Sequence, residues 1–335
     1  MLKVAILDDY AGVALASADW STLDGIAEIE VFREHLSEKQ AVDVLQPFDV
    51  LCTIRERMEL PRRLFEQLSN LKLVTIIGTS LPNLDMDAAT EHGVLIIHPD
   101  PDQRRAAGIA NATPELTWGL MIATVRHLAQ EERRMREGLW QRSVGIVLSG
   151  RTLGLLGLGN IGRRMAEYGR VFGMDVIAWS QNLTADAAAE VGVRRVEKNE
   201  LFAGSDILSI HVRLSERTRG LVTARELGLM KPTAYLVNTS RGSIVEEAAL
   251  IAALTERRIA GAGLDVFDNE PPPADHTLRK LDNVTLTPHL GYVTRETFAT
   301  FYGDMPAAIA AFARGAPVRV INTDALEHAR QRLRP

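Results

Sequence analysis

The stretch Leu153-Gly154-Leu155-Leu156-Gly157-Leu158-Gly159-Asn160-Ile161-Gly162 constrains this chain more than any other. An apolar run ends in a Gly-x-Gly-x-x-Gly turn. A helix-like segment over residues 163–172 follows at once, and then a second apolar run, Val176-Ile177-Ala178-Trp179. Strand, glycine turn, helix and strand in that order form the context of a dinucleotide-binding unit, whereas the glycine spacing alone is weak evidence. Each position has a physical reason. Gly157 permits the tight turn, Gly159 leaves the backbone open to a pyrophosphate, and Gly162 lets the helix pack closely on the strand. Asn160 and Ile161 lie within the turn, ahead of the helix whose free N–H groups and positive dipole end suit phosphate oxygens.

A substantial segment precedes this turn. A chain of 335 residues exceeds the usual single-domain range and predicts two domains. The net charge of −5, with both signs interspersed, gives no support to binding of nucleic acid or an anionic membrane. Residues 1–9 read as a strand followed by an acidic turn rather than a signal peptide, and no apolar run is long enough to span a bilayer. The expected location is cytoplasmic. Cys52 is the sole cysteine, so no intrachain disulfide can form; its apolar setting predicts a buried, inert thiol.

Strand and helix signals alternate along the chain, the pattern of an α/β protein with parallel sheets. Short β-rich runs cover residues 4–7, 29–32, 50–54, 73–77 and 94–97, with helical stretches between them at 60–68 and 86–91. Two prolines in a polar run, residues 98–102, suit a linker. A long helix is predicted over residues 114–136, where Pro114 at the start loses no hydrogen bond. Beyond the glycine turn, strands are predicted at 207–211, 235–238, 261–266 and 284–287.

Three clusters at the ends of these late strands carry chemistry. In Val237-Asn238-Thr239-Ser240-Arg241-Gly242, an arginine just past a strand sits where open α/β sheets bind ligands, and its fork suits a carboxylate. In the segment 264–273, Asp265 falls near a strand end and Glu270 precedes a run of prolines. In Leu286-Thr287-Pro288-His289-Leu290-Gly291, a histidine follows a strand and a proline. No His or Cys stands at ligand spacing beside it, so no metal is expected. Each cluster alone is ambiguous: a surface arginine, an acidic loop and a structural histidine are ordinary features.

Taken together, residues 157–162, 205–211, 230–232, 238–242, 261–271 and 287–291 resemble, in order and spacing, the D-isomer-specific 2-hydroxyacid dehydrogenase family. The resemblance implies two Rossmann-like α/β lobes with parallel sheets and an active site in the interdomain cleft. Residues 1–102 plus 292–335 would form a discontinuous substrate-binding domain, and 103–291 the dinucleotide-binding domain. It further implies an NAD(P)-dependent reductase of a small 2-oxo carboxylate such as glyoxylate or hydroxypyruvate. Arg241 would hold the carboxylate, His289 would act as acid in reduction and base in oxidation, and Glu270 would orient the imidazole. Asp265 matches the position that orients the nicotinamide carboxamide. Thr239, Asp206 and His211 fall in segments that line the cofactor groove. A homodimer built through residues 120–140, which include Trp140, is also implied.

Two departures bear on specificity. Where the family's substrate loop reads Gly-x-Gly, this chain has Gly78-Thr79-Ser80, with Pro82 in place of an acidic residue. Arg55 and Arg57 match a region that faces the substrate in relatives; one of them, with Arg55 preferred, would bind a second anionic group, while Arg57 reads equally as a solvated surface charge. At the end of the second strand, Ser180 stands where an acidic residue would bind the ribose hydroxyls of NAD. NAD is the expected cofactor and NADP stays open. A short phosphoglycerate dehydrogenase fits the same motifs, since the chain ends soon after residues 320–322. A nucleotide-sensing binding protein of the co-repressor kind shares the pattern and would bind NAD(H) without turnover. A formate dehydrogenase is disfavoured, because that branch carries Gln where this chain has Glu270. A methyltransferase would explain the glycine turn and leave Arg241, Glu270 and His289 unexplained.

Overall fold

A computed structural model describes residues 1–54, 57–77, 81, 83–98 and 109–326. The chain divides into two compact units, Met1–Ile109 with Thr294–Pro335 and Ala110–Val293.

In the first unit the strands β1 (Leu2–Ile6), β2 (Ala27–Val31), β3 (Val50–Ile54), β4 (Leu73–Ile77) and β5 (Leu95–Ile97) form a parallel sheet in the order β2-β1-β3-β4-β5. Every residue of β3 and β4 is buried. A parallel strand covered on both faces needs such an unbroken apolar run, which is why these two strands were legible to the residue. Cys52 lies within β3, and burial pushes its thiol up to about 12. The tail returns to cover the β5 edge. Val320 bridges Ile97, and the Asn322 side chain accepts from Ile96 N at 2.8 Å and donates to Val94 O at 2.9 Å.

The second unit carries β6 (Thr152–Leu156), β7 (Asp175–Trp179), β8 (Arg194–Arg195), β9 (Ile207–Ile210), β10 (Tyr235–Asn238), β11 (Gly261–Leu264) and β12 (Val284–Leu286). They pair in parallel, in the order β12-β11-β10-β9-β6-β7-β8. The chain leaves β6 toward β7 and β8, then returns to build β9 to β12 on the other side. The β6/β9 boundary is therefore the topological switch point, where the carboxyl ends of an open sheet receive ligands.

The single helix predicted over 114–136 is two helices, Ala112–Val125 and Leu128–Arg136, separated by His127 in a left-handed conformation (φ 55°). The physical reason is burial. Trp118, Leu120, Met121 and Val125 of the first helix lie in the core of the unit, with Trp118 against Tyr168 and Phe172. The second helix buries none of its residues, and the break lets that charged segment leave the core. Pro114 is the third helical residue, still among the first N–H groups without an intrahelical acceptor. Among the described residues, no helix is long and apolar enough to cross a membrane.

Candidate active site

The glycine turn sits at the carboxyl end of β6, at the switch point. Gly157 adopts φ 106°, a conformation that disfavours a side chain. A Cβ on it would also lie 2.8 Å from the His211 carbonyl carbon and the Val212 nitrogen. Its N–H donates to Trp179 O at 2.9 Å, which places the turn beside the end of β7 and hence beside Ser180. A Cβ on Gly162 would overlap the Gly157 carbonyl, so this glycine is what permits the helix Asn160–Val171 to start so close to the strand. Gly159 differs: nothing lies within 4 Å of its would-be Cβ. It caps the helix without a side-chain acceptor, ahead of the N–H groups of Asn160, Ile161 and Gly162. Open space over uncapped donors and a positive helix end fits a pyrophosphate.

Arg241 follows β10, on the same carboxyl edge. The turn that carries it is closed by Asn238, whose side chain donates to Arg241 O at 2.9 Å and accepts from Ser240 N at 3.0 Å. Ser240 Oγ donates to Val212 O at 2.5 Å, joining this turn to the segment after β9, and Arg241 Nη1 donates to Ser240 O. Asn238 was not singled out from the sequence. Its signal is the Asn-x-Ser-Arg-Gly run, in which the amide ties its own turn in the manner of an Asx turn.

Asp265 and His289 are built as one element. Asp265, fully buried just past β11, accepts from Thr287 Oγ1 at 2.6 Å, Leu290 N at 2.7 Å and Gly291 N at 2.9 Å. Its own carbonyl accepts from His289 N at 2.9 Å, and His289 is held at φ 53°. Burial raises the Asp265 carboxyl above its ordinary range against these donors and the nearby imidazole. His289 Nδ1 lies 2.5 Å from Glu270 Oε2, and Glu270 Oε1 accepts from Phe267 N at 2.9 Å. Burial pushes the Glu270 carboxyl up, but the bond and charge of His289, the Phe267 N–H and the Arg241 charge outweigh it. Glu270 is held below the usual carboxylate range. Nδ1 therefore donates to an ionised Glu270, which leaves Nε2 as the ring nitrogen not engaged with the carboxylate.

The remaining predicted residues are placed as follows. Thr239 is buried, with its hydroxyl 2.7 Å from Thr117 Oγ1. Ser180 directly follows β7. His211 follows β9 with Nε2 2.8 Å from Ser209 Oγ, and burial pushes its pKa down to about 3, so the ring is neutral. Asp206 departs from its expected place. It precedes β9, on the amino edge opposite the glycine turn, and there accepts from Lys231 Nζ at 2.8 Å and Thr152 N at 2.9 Å. Asp206 and Lys231 thus staple β6, β9 and the turn before β10 rather than line a ligand groove. Arg57 lies over the Tyr10 ring, its guanidinium carbon 4.8 Å from the centroid. Arg55, Gly78, Thr79, Ser80 and Pro82 lie outside the described residues.

Arg241, Glu270 and His289 follow β10, β11 and β12, and the glycine turn follows β6. All four are on one edge of one parallel sheet. Residues 118–291 match the family model described as the D-isomer specific 2-hydroxyacid dehydrogenase, NAD binding domain. The chain is 37% identical over 274 residues to a glyoxylate reductase of Aeropyrum pernix, covering 79% of this chain and 80% of that protein. It is 36% identical over 299 residues to a D-3-phosphoglycerate dehydrogenase of Methanocaldococcus jannaschii, covering 88% of this chain and 54% of the relative. The chain thus spans about half the length of that longer relative. Among solved structures, a phosphoglycerate oxidoreductase of Vibrio cholerae superposes with a TM-score of 0.86 at 35% identity, covering 94% of this chain and all of that one. With the family model matched over more than half of its length, the chain belongs to the D-isomer-specific 2-hydroxyacid dehydrogenase family.

Proposed function

We propose that this chain is an NAD-dependent D-2-hydroxyacid dehydrogenase that reduces a small 2-oxo carboxylate. The observation that carries the reading is the Glu270–His289 pair at 2.5 Å on the sheet edge that also presents Arg241 and the glycine turn. In this reading the second unit is the dinucleotide-binding domain and the first the substrate-binding domain. Gly157, Gly159, Asn160, Ile161 and Gly162 hold the pyrophosphate, and Ser180, His211, Thr239 and Asp265 belong to the same cofactor site. When bound, the nicotinamide supplies hydride to the carbonyl carbon. Arg241 binds the carboxylate through its fork and fixes the carbonyl in the plane the reaction needs. His289 Nε2 gives its proton to the carbonyl oxygen, and the ring is reprotonated from solvent. Glu270, ionised and bonded to Nδ1, holds the ring and stabilises its charged form. In oxidation the same imidazole removes the hydroxyl proton.

The names of the relatives support glyoxylate, hydroxypyruvate-type and phosphorylated 3-carbon acids as the substrates to try first. Ser180 carries no charge to repel a 2′-phosphate, so NADP is retained as a second cofactor. A homodimer is proposed through the segment after His127, where Leu128 (49% exposed), Met135 (60%) and Trp140 (70%) leave apolar surface uncovered. The test is the fall in NADH and NADPH absorbance with glyoxylate, hydroxypyruvate, pyruvate and 3-phosphohydroxypyruvate. Turnover with one pair supports the reductase and names its substrate. Tight NADH binding with no turnover across the panel refutes it and favours the nucleotide-sensing reading.

A further inference from the structure

Arg241 and Glu270 come from different strands, and something must fix their separation. The residue after Arg241 is in backbone contact with the loop that carries Glu270. A Cβ on Gly242 would overlap the Phe267 carbonyl and lie 2.5 Å from Asp268 N. The peptide it meets belongs to the turn in which Phe267 N donates to Glu270 Oε1 at 2.9 Å. On its other side, Gly242 follows a carbonyl already held by Asn238. A glycine trapped between two fixed turns, with backbone and not side chain at the point of contact, leaves no rotamer to relieve added bulk.

One residue further on stands Ser243, which with Glu247, Arg219 and His276 is among the groups that act on the Asp268 carboxylate. Ser243 O accepts from Gly220 N at 2.8 Å, and His276 Nε2 stands 3.1 Å from Glu247 Oε1 at the start of the helix Glu247–Thr255. Burial raises the Asp268 carboxyl, with Glu247 adding to the effect against the Ser243 hydroxyl and the Arg219 and His276 charges.

We infer that Gly242 is a positioning residue: its backbone contact with Phe267–Asp268 sets the distance between the carboxylate-binding Arg241 and the Glu270–His289 pair. Gly242 does not touch the reacting atoms. Its effect runs through the Phe267 N–H and the Arg241 turn. The inference rests on the assignment of Arg241, Glu270 and His289 as the reacting set.

The test uses three variants of the full chain. Gly242→Ala inserts the overlapping carbon and should lower kcat/KM by about a hundredfold, the cost of a displacement near one ångström. Ser243→Ala and Asp268→Ala add no bulk at the contact and should each keep kcat/KM within about threefold of the parent. The NADH dissociation constant should stay within about twofold throughout. In the parent the Phe267 amide should exchange as slowly as the amides of β10 and β11, and in Gly242→Ala it should quicken while those stay protected. Fast Phe267 exchange in the parent, or Gly242→Ala with the parent's kcat/KM, would overturn the inference. If the parent reduces none of the 2-oxoacids, the reaction assignment fails. Phe267 exchange then decides the positioning claim alone.

Discussion

Glu270→Gln tests the pair on which the proposed chemistry depends. The substitution keeps the size of the side chain and its capacity to accept from Phe267 N, and removes one negative charge 2.5 Å from His289 Nδ1. A hydrogen bond to a charged partner is worth about 1.5–3 kcal/mol, roughly twice that of a neutral one. The ring must carry its proton to donate it in reduction, so most of that energy is expected in the activation barrier. At about 1.4 kcal/mol per tenfold, the expected loss in kcat is about 10- to 150-fold. Glu270 is not among the residues proposed for the cofactor site, so the NADH dissociation constant should stay near the parent's. The assay is steady-state reduction of the best 2-oxoacid at neutral pH, with NADH binding followed by fluorescence. Glu270 is held below the usual carboxylate range, so in the parent the pair is intact at neutral pH and above and is lost only on acidification through that lowered value. The gap between parent and variant should therefore be full at neutral pH and close in acid. A variant with the parent's kcat at neutral pH would remove Glu270 from the mechanism.

His289→Ala should lower kcat by at least about a hundredfold with NADH affinity nearly unchanged, since the imidazole acts in the transition state; parent-like turnover would exclude it as the acid. Arg241→Lys should raise KM sharply, because a point-charge ammonium cannot reproduce the guanidinium fork, and unchanged kinetics would mean the carboxylate is held elsewhere. Glu226 offers a stability test away from the site. Burial would raise its carboxyl, but the Thr223 hydroxyl and N–H and the Lys198 ammonium hold it down to about 2 from 4.5. Its contribution, on the order of 3 kcal/mol, is present above pH 4.5 and lost as pH falls toward 2. Glu226→Gln should thus be less stable in urea at pH 7 and converge with the parent near pH 2; a constant difference across that range would refute the assignment.

What the sequence shows and what it hides divide along physical lines. β3, β4 and β10 are legible to the residue because central strands buried on both faces are continuous apolar runs. β8 is two arginines on the edge of its sheet and has no apolar signal at all. The break at His127 was invisible, since apolar periodicity runs on through it and only burial of the first helix against the core reveals why the chain turns. Among the candidate site residues, the place of Arg241, Glu270 and His289 on one sheet edge was legible because each follows a strand in a recognisable motif. Asp206 was misplaced because a motif fixes order along the chain, not which end of a strand a residue occupies. The Thr287–Asp265 and Lys231–Asp206 bonds join residues more than twenty positions apart, and no local pattern announces them.

The hidden bonds explain why this sheet edge is rich in amides and acids. Within a parallel ladder each N–H finds a carbonyl on the neighbouring strand. One residue past the carboxyl end that supply stops, and a buried donor must find another acceptor. Here side chains take over where the ladder ends. Asn238 takes the N–H of Ser240 in the turn of Arg241, Asp265 takes those of Leu290 and Gly291, the two residues after His289, and Glu270 takes that of Phe267. Each acceptor lies at or past the carboxyl end of its strand, and each fixes a turn that carries or contacts a proposed reacting side chain. The motif residues therefore serve two purposes, one architectural and one chemical. Asp265 shows the architectural one most plainly: a fully buried carboxylate is costly, and three donors from the His289 turn are what makes it tolerable. Glu270 joins both, with one oxygen on its own loop and the other on the imidazole.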